Sequence, residues 1–227
     1  MKILLLRASP RKDGATNRLA DAFVSGARSV GAEVEDVNLC EKNISYCKGC
    51  YACASKRSQG CVIADDMQGL LGKLKACDVL VCFSPVYFYG MSAQLKTFFD
   101  RCFPLVSRRD VPFGNVEKNG KKMIAFSVAS GRAKAFECIT KNFEMISSEL
   151  GFELSANVRR GEGVYFSELG ENSIRVKKIF SAVEQLGAEC VKNNISAETI
   201  SNAELEIAPS DEMFATRAKA YWHLLQR

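Results

Sequence analysis

The sequence predicts an α/β domain built on a doubly wound, five-stranded parallel sheet with helices on both faces. Three observations predict it. Short apolar and β-branched runs alternate five times with helical patterns. One run, Val79 to Ser84, is nearly all apolar, as a strand buried on both faces must be. Loops of unusual composition follow the first, third and fourth runs, at the carboxyl ends of strands, where such sheets bind ligands.

The elements follow in order. Lys2 to Arg7 reads as strand one, and Thr16 to Val30 as helix one, with Leu19, Ala22, Phe23, Gly26, Ala27 and Val30 on one face. Glu33 to Leu39 reads as strand two. A long connection from Cys40 to Ala64 ends at Asp65-Asp66, two acids that suit the start of a helix bearing Met67, Leu70, Leu71 and Leu74. After the central strand, Ser92 can cap a helix that turns Leu95, Phe98, Phe99 and Cys102 inward. Pro104 to Gly120 reads as a loop long enough to serve an interface or a site. Lys122 to Ala129 is strand four, Phe136 to Leu150 a helix, Phe152 to Val158 strand five and Val176 to Cys190 a helix. Beyond that, Ser201-Asn-Ala-Glu204 has the pattern of a capping box. Ser210-Asp211-Glu212 opens a last amphipathic helix with Phe214, Ala218, Tyr221, Trp222 and Leu225. The expected division is a main domain over 1–195, with a cysteine-rich insertion at 40–64, and a helical extension over 196–227.

Composition bounds the function. A chain of 227 residues, 47% hydrophobic and 25% charged, suits one globular domain without disulfide support. Its net charge of +5 is mild, and no basic run interleaved with aromatics suggests nucleic acid. No apolar run approaches the ~20 residues of a membrane span, and Met1-Lys2 leads into too few apolar residues for a signal peptide. A cytoplasmic protein is expected, in which ten cysteines do not form a disulfide framework. The single His223 has no second histidine to join as a metal ligand and reads as structural.

Ser9-Pro-Arg-Lys-Asp-Gly-Ala-Thr-Asn17 lies between strand one and helix one. Such a loop aims backbone N–H groups at one point, where the helix dipole favours an anion. Ser9, Thr16 and Asn17 can add side-chain donors and Arg11 a guanidinium fork suited to phosphate. A phosphate cradle and an ordinary strand–turn–helix capped by Thr16 or Asn17 both fit. After strand three, Pro85-Val-Tyr-Phe-Tyr-Gly90 could form a flat, half-apolar slot for a planar ring system, or simply cover the core. A dinucleotide fingerprint and a Walker-type loop are both absent, which favours a bound mononucleotide.

Ser9-Pro-Arg-Lys with Gly14, Thr16 and Asn17 resembles the FMN-phosphate loop of the flavodoxin-like NAD(P)H-dependent FMN reductases. Pro85-Val-Tyr, then Gln94-Leu-Lys and Phe99-Asp-Arg101, resemble their isoalloxazine loop and following helix. The resemblance implies strand order 2-1-3-4-5, FMN as cofactor, NAD(P)H as a visiting substrate and a homo-oligomer, dimer or tetramer. It places a third flavin loop at Ser130-Gly131. Ala8 stands where glycine is more usual in these proteins, and the loop's hydrogen bonds should survive that change.

Cys47-x2-Cys50-x2-Cys53-x7-Cys61 is the other chemical feature. Thiols so closely spaced can close on one centre. A [4Fe–4S] cluster suits four thiolates at compact spacing. Structural zinc more often takes two separated pairs, and thiol–disulfide or peroxide chemistry is a third reading. The pattern resembles the cysteine motif of the iron–sulfur flavoproteins of the same fold, where an Asp-Asp-Met also follows, as Asp65-Asp66-Met67 does here; Leu105 to Asp110, with Arg108-Arg109, is similar too. Cys40, Cys77, Cys82, Cys102, Cys138 and Cys190 read as small core residues. The expected function is an FMN-dependent oxidoreductase, fed by NAD(P)H or a ferredoxin-like partner. No side chain is required as acid or base, because the flavin carries the chemistry. A passive flavodoxin-like carrier and a cluster-free NAD(P)H:quinone or flavin reductase remain as alternatives.

Overall fold

The computed structural model describes residues 1–55, 60–106, 119–163, 165–168 and 173–226. Five long strands form the sheet: β1 (Lys2–Arg7), β2 (Glu33–Asn38), β3 (Val79–Tyr87), β4 (Lys122–Val128) and β5 (Glu153–Arg160). They pair in parallel in the order β2-β1-β3-β4-β5, with the two-residue strand Gly90–Met91 folded back antiparallel on β3. This is the expected 2-1-3-4-5 order. The helices are α1 (Ala15–Ser29), α2 (Met67–Ala76), α3 (Ala93–Asp100), α4 (Glu137–Glu149), α5 (Ile174–Val191), α6 (Ala197–Ala203) and α7 (Asp211–Leu225).

Side-chain alternation explains the double winding. Along β1, Ile3 and Leu5 face a core shared with α1 and α5, whereas Leu4 and Leu6 face one shared with α2, α3 and α4. The first core is centred on aromatics: the Phe83 and Phe126 rings stack at 4.1 Å, and Phe23 of α1 meets both edge-on. α1 and α5 approach so closely that a Cβ on Gly26 would lie 1.7 Å from the Glu184 carbonyl oxygen, and one on Gly187 would lie 2.2 Å from that of Phe23.

Several expectations are corrected. β3 runs on through Pro85 and Val86 to Tyr87, so the connection after it is a two-residue turn and not a loop from Pro85 to Gly90. Parallel pairing of Pro85 with Val128 carries the strand past Ser84. β5 likewise continues past Val158 to Arg160. Ser201-Asn-Ala-Glu204 is not a helix start: Ser196 caps α6 by accepting from the Thr199 N–H, and Ser201 lies in its last turn. Glu204 instead holds Arg159, at 3.0 Å. Cys138 is exposed and Cys40 half-buried, so neither is a core residue, whereas Cys77, Cys82, Cys102 and Cys190 are buried. Of the loop expected from Pro104 to Gly120, residues 107–118, including Arg108-Arg109, lie outside the described residues, and Phe103–Val106 forms a helical turn. His223 is exposed on α7.

The segment after α5 is stitched to the end of β5. Arg160 is 1% exposed and donates to the carbonyls of Gly161 (2.6 Å), Ala203 (3.2 Å) and Leu205. Burial pulls its pKa down to about 10 despite nearby glutamates. Its charge thereby serves the carboxyl end of α6, where the helix dipole favours a cation. Ser210 caps α7 as expected, accepting from the Met213 N–H at 3.2 Å. The Tyr165 hydroxyl donates to the Phe214 carbonyl at 3.0 Å. No described helix is long and apolar enough to cross a membrane.

Candidate cofactor site and cysteine segment

The loop after β1 is held open at its centre. Ala8 donates its N–H to the Phe83 carbonyl at 2.9 Å, so the alanine leaves that bond intact. Arg7 anchors the far side, forking onto Asp36 at 2.8 and 2.7 Å and donating to the Asn17 carbonyl at 3.0 Å. The Gly14 N–H bonds Arg11 C=O at 3.1 Å, and Asn17 and Arg18 N–H both bond Gly14 C=O. Gly14 is therefore the N-cap of α1, with no side-chain bond, and Thr16 and Asn17 lie inside the first turn rather than capping it. The N–H groups of Ala15 and Thr16 meet no acceptor among the described residues. Ser9, Thr16 and Asn17 are nonetheless buried, and the buried Oδ1 of Asn17 has no partner although its Nδ2 donates to Arg11 C=O. Free N–H groups and a polar, buried floor at a helix N-terminus are what a phosphate needs. A cavity of about 340 Å³ opens beside this loop, lined by Arg11, Lys12, Gly14, Arg18, Phe166 and Tyr221 among others. Tyr221 brings α7 to the cradle, a neighbour that sequence spacing could not reveal.

The second element is the turn between β3 and Gly90. Phe88 and Tyr89 both have positive φ, +46° and +64°, the arrangement of a two-residue hairpin turn that normally takes asparagine and glycine. Holding two aromatics there costs on the order of 1–3 kcal/mol each. Phe88 is fully exposed, and Tyr87 and Tyr89 are half-exposed. The strain displays three aromatic side chains at the strand's end. Val86 pairs with Met91 across the return, and Ser84 Oγ accepts from the Ser92 N–H at 3.0 Å, which locks the turn to the start of α3.

The third loop, Ser130-Gly131, is carried by residues that the sequence reading missed. Ala129 donates to Arg160 C=O at 2.9 Å and accepts from Gly163 N–H at 2.8 Å. Gly131 C=O accepts from the N–H of Glu162, whose φ is +57°. A Cβ on Gly161 would sit 2.7 Å from Gly131 O, so only glycine permits this approach. Glu162 is 0% exposed: its Oε1 takes Arg132 at 2.9 and 2.7 Å, and its Oε2 takes the N–H groups of Ile207 and Ala208. Gly161-Glu-Gly163 just past a strand was the only signal of this network.

The cysteine segment lies beyond β2. Gly49 and Tyr51 adopt left-handed conformations, φ +62° and +54°, which let the chain reverse between cysteines. Cys53 is buried, Cys61 half-buried, and Cys47 and Cys50 exposed. Burial pushes the Cys53 thiol up, and the nearby charges of Cys61, Cys50 and Cys47 push it further. Cys53 is thus the buried member of the motif. Among the described residues, no three potential ligands stand close enough to share one metal ion. A four-iron cube asks less of them, since each thiolate binds a different iron. The segment is closed at its base by Arg101 and Asp65, whose side chains are 1% and 3% exposed. Arg101 donates to Asp65 at 2.7 and 3.0 Å, to Ser45 C=O at 2.6 Å and to Ile63 C=O at 3.4 Å. The Cys61 side chain is near enough to help hold the Arg101 pKa up, and the buried Nε of Arg101 meets no acceptor. A buried donor left over beside Cys61 fits an anionic group on that sulfur.

Asp65 adds a pH dependence. Burial pushes its carboxyl up, but hydrogen bonds from Arg101 and from the Ser45 and Met67 N–H groups outweigh this and leave it below the ordinary carboxylate range. A depressed pKa contributes stability that is present above the unfolded value of about 3.9 and is lost as pH falls through the folded value. Urea unfolding of the wild-type chain should therefore weaken below about pH 4, and Asp65→Asn should flatten that part of the profile. An unchanged acid limb in Asp65→Asn would contradict this assignment.

Residues 1–157 match the family model for NADPH-dependent FMN reductases. An iron-sulfur flavoprotein of Archaeoglobus fulgidus is 30% identical over all of this chain and 94% of its own length. An iron-sulfur flavoprotein of Methanocaldococcus jannaschii is 39% identical over 105 residues, which is 46% of this chain and 53% of that one. An FMN-dependent NADH-azoreductase of Bacillus anthracis, solved with FMN, superposes with a TM-score of 0.62 at 14% identity, covering 84% of this chain and 99% of that one. At that identity the superposition speaks for the fold. Carried by the match over 1–157 and the full-length relative, the chain belongs to the NADPH-dependent FMN reductase family and is a flavin-dependent oxidoreductase.

Proposed function

We propose that this oxidoreductase holds FMN on its three strand-end loops and a [4Fe–4S] cluster on Cys47, Cys50, Cys53 and Cys61. Bound flavin would supply both hydride and single-electron chemistry. The chain's own residues bind and orient. Ser9, Arg11, Gly14, Ala15, Thr16 and Asn17 hold the phosphate. Pro85 to Gly90 supports the ring, and Ser130 and Gly131 border another edge of it. The single observation that carries the cluster is the segment bearing Cys47, Cys50, Cys53 and Cys61, closed at its base by the buried Arg101 and Asp65.

NAD(P)H is the expected visiting reductant, and a ferredoxin-like protein becomes a second donor once a cluster is present. The net charge of +5 favours an acidic partner. Ten free thiols suit a reducing compartment such as the cytoplasm. The exposed Tyr87, Phe88 and Tyr89 give a second copy of the chain something to cover, and a dimer or tetramer is the expected state, checked by light scattering.

Anaerobic purification tests the reading. The expected product has a flavin spectrum on a broad cluster absorbance, with about four irons and four sulfides per chain. Two flavin bands with no iron would leave the second reading, a cluster-free NAD(P)H reductase, which steady-state NAD(P)H consumption with a quinone would support. No NAD(P)H turnover with any acceptor would favour a passive carrier.

A further inference from the structure

We propose that Arg101 is a positioning residue for the cysteine centre: it clasps both ends of the cysteine segment and presents a donor to the sulfur of Cys61. This rests on the cluster reading above and extends it to a residue outside the cysteine pattern.

The geometry carries the proposal. Arg101 follows directly on α3, the helix that begins at the ring-binding turn. Its guanidinium reaches Ser45, two residues before Cys47, and Ile63, two residues after Cys61. One side chain therefore closes a loop that carries all four cysteines. Asp65 fixes the guanidinium's plane through two parallel bonds and accepts the Ser45 N–H at 2.9 Å, so the clasp holds Ser45 through both its carbonyl and its amide. The Cys61 side chain is near enough to help hold the Arg101 pKa up, and the Nε is buried with its N–H unused. An unused buried donor costs about 1–3 kcal/mol, which an acceptor arriving at Cys61 would recover. Ser45, Ile63 and Asp65 take four of the five guanidinium N–H groups, which leaves the Nε for that acceptor. Lysine cannot replace this group: it lacks the planar fork and offers no second nitrogen to the sulfur. Hydrogen bonds to cluster sulfurs raise the reduction potential, and outer partners of metal ligands are worth about 10–100-fold in retention.

The test uses the full chain, purified anaerobically, as wild type, Arg101→Lys and Asp65→Asn. In Arg101→Lys, iron per chain after mild chelation should fall about 10-fold or more. The cluster that survives should have a more negative midpoint potential, with FMN stoichiometry unchanged. Asp65→Asn keeps the Arg101 side chain and one acceptor for it, so it should loosen the segment with a smaller shift of the potential than Arg101→Lys. Wild-type iron and potential in Arg101→Lys would overturn the proposal. So would loss of FMN in step with iron, which would mark a general structural role. A second readout uses the metal-free chain: amide hydrogen exchange across 45–63 should speed in both variants while the sheet strands stay protected. Unchanged exchange overturns the clasp even if wild-type protein carries no iron, whereas iron-free wild type with faster exchange in the variants refutes only the cluster reading.

Discussion

Glu162→Ala is expected to lower the stability of the fold by about 3–5 kcal/mol, read as a drop in the urea midpoint. The carboxylate is wholly buried and fully used, by the Arg132 guanidinium and by the Ile207 and Ala208 N–H groups. Alanine would strand two amides, each costing about 1–3 kcal/mol, and weaken the hold on Arg132. Arg132 has other support, from Asp211 and from Ala208 C=O at 2.9 Å, which keeps the loss from being larger. The backbone of residue 162 would also keep φ at +57° without a side chain to hold it there. Because the N–H of Glu162 holds Gly131, the same variant should bind FMN more weakly, measured by flavin fluorescence titration. Glu162→Gln, with similar shape, should lose less. A loss under about 1 kcal/mol in Glu162→Ala would contradict the account.

Gly26→Ala sets two effects of opposite sign against each other. Helix propensity favours alanine over glycine by about 1 kcal/mol. The new methyl would lie 1.7 Å from the Glu184 carbonyl oxygen and 2.6 Å from its carbon, and backbone cannot step aside as a flexible side chain does. Overpacking typically costs about 1–3 kcal/mol and more when helices must part, so a net loss near or above about 3 kcal/mol is expected. Gly72→Ala on α2 is the control: its Cβ would meet nothing within 4 Å, so propensity should act alone and raise stability by up to about 1 kcal/mol. Thermal or urea unfolding of the two variants should move in opposite directions. Since α1 also begins at the loop proposed to hold the phosphate, parting α1 from α5 should weaken FMN binding too.

Local chemistry was legible where it was written in consecutive residues. The alternating runs placed all five strands, and Ser92 and Ser210 cap the helices expected of them. The loop from Ser9 to Asn17 was visible because its glycine, hydroxyls and helix start are contiguous. Ser196 was missed because Ser201-Asn-Ala-Glu204 carries the same local pattern a few residues on. What separates the two is that Glu189 of α5 accepts from the Ser196 N–H and from the Thr199 hydroxyl, a contact between elements. Cys138 was misplaced for a related reason. Its position in α4 sits next to the apolar stripe, and only the packed sheet decides which edge of that stripe faces water.

By itself, then, the sequence determined the alternation of elements, the two loops that suit a phosphate and a planar ring, and the spacing of Cys47, Cys50, Cys53 and Cys61. These are properties of short windows, in which propensity, periodicity and side-chain chemistry act between near neighbours. The tertiary structure alone decided that Arg101 meets Asp65 across 36 positions, that Glu162 binds Ile207 and Ala208 across 45 and 46, and that Tyr221 of α7 lines a cavity with the loop after β1. The reason is energetic. A buried charge must find its partner wherever the fold brings one, because leaving it unpaired costs more than any local preference is worth. Such pairings are set by how the layers stack, and no window of the chain contains both halves of them.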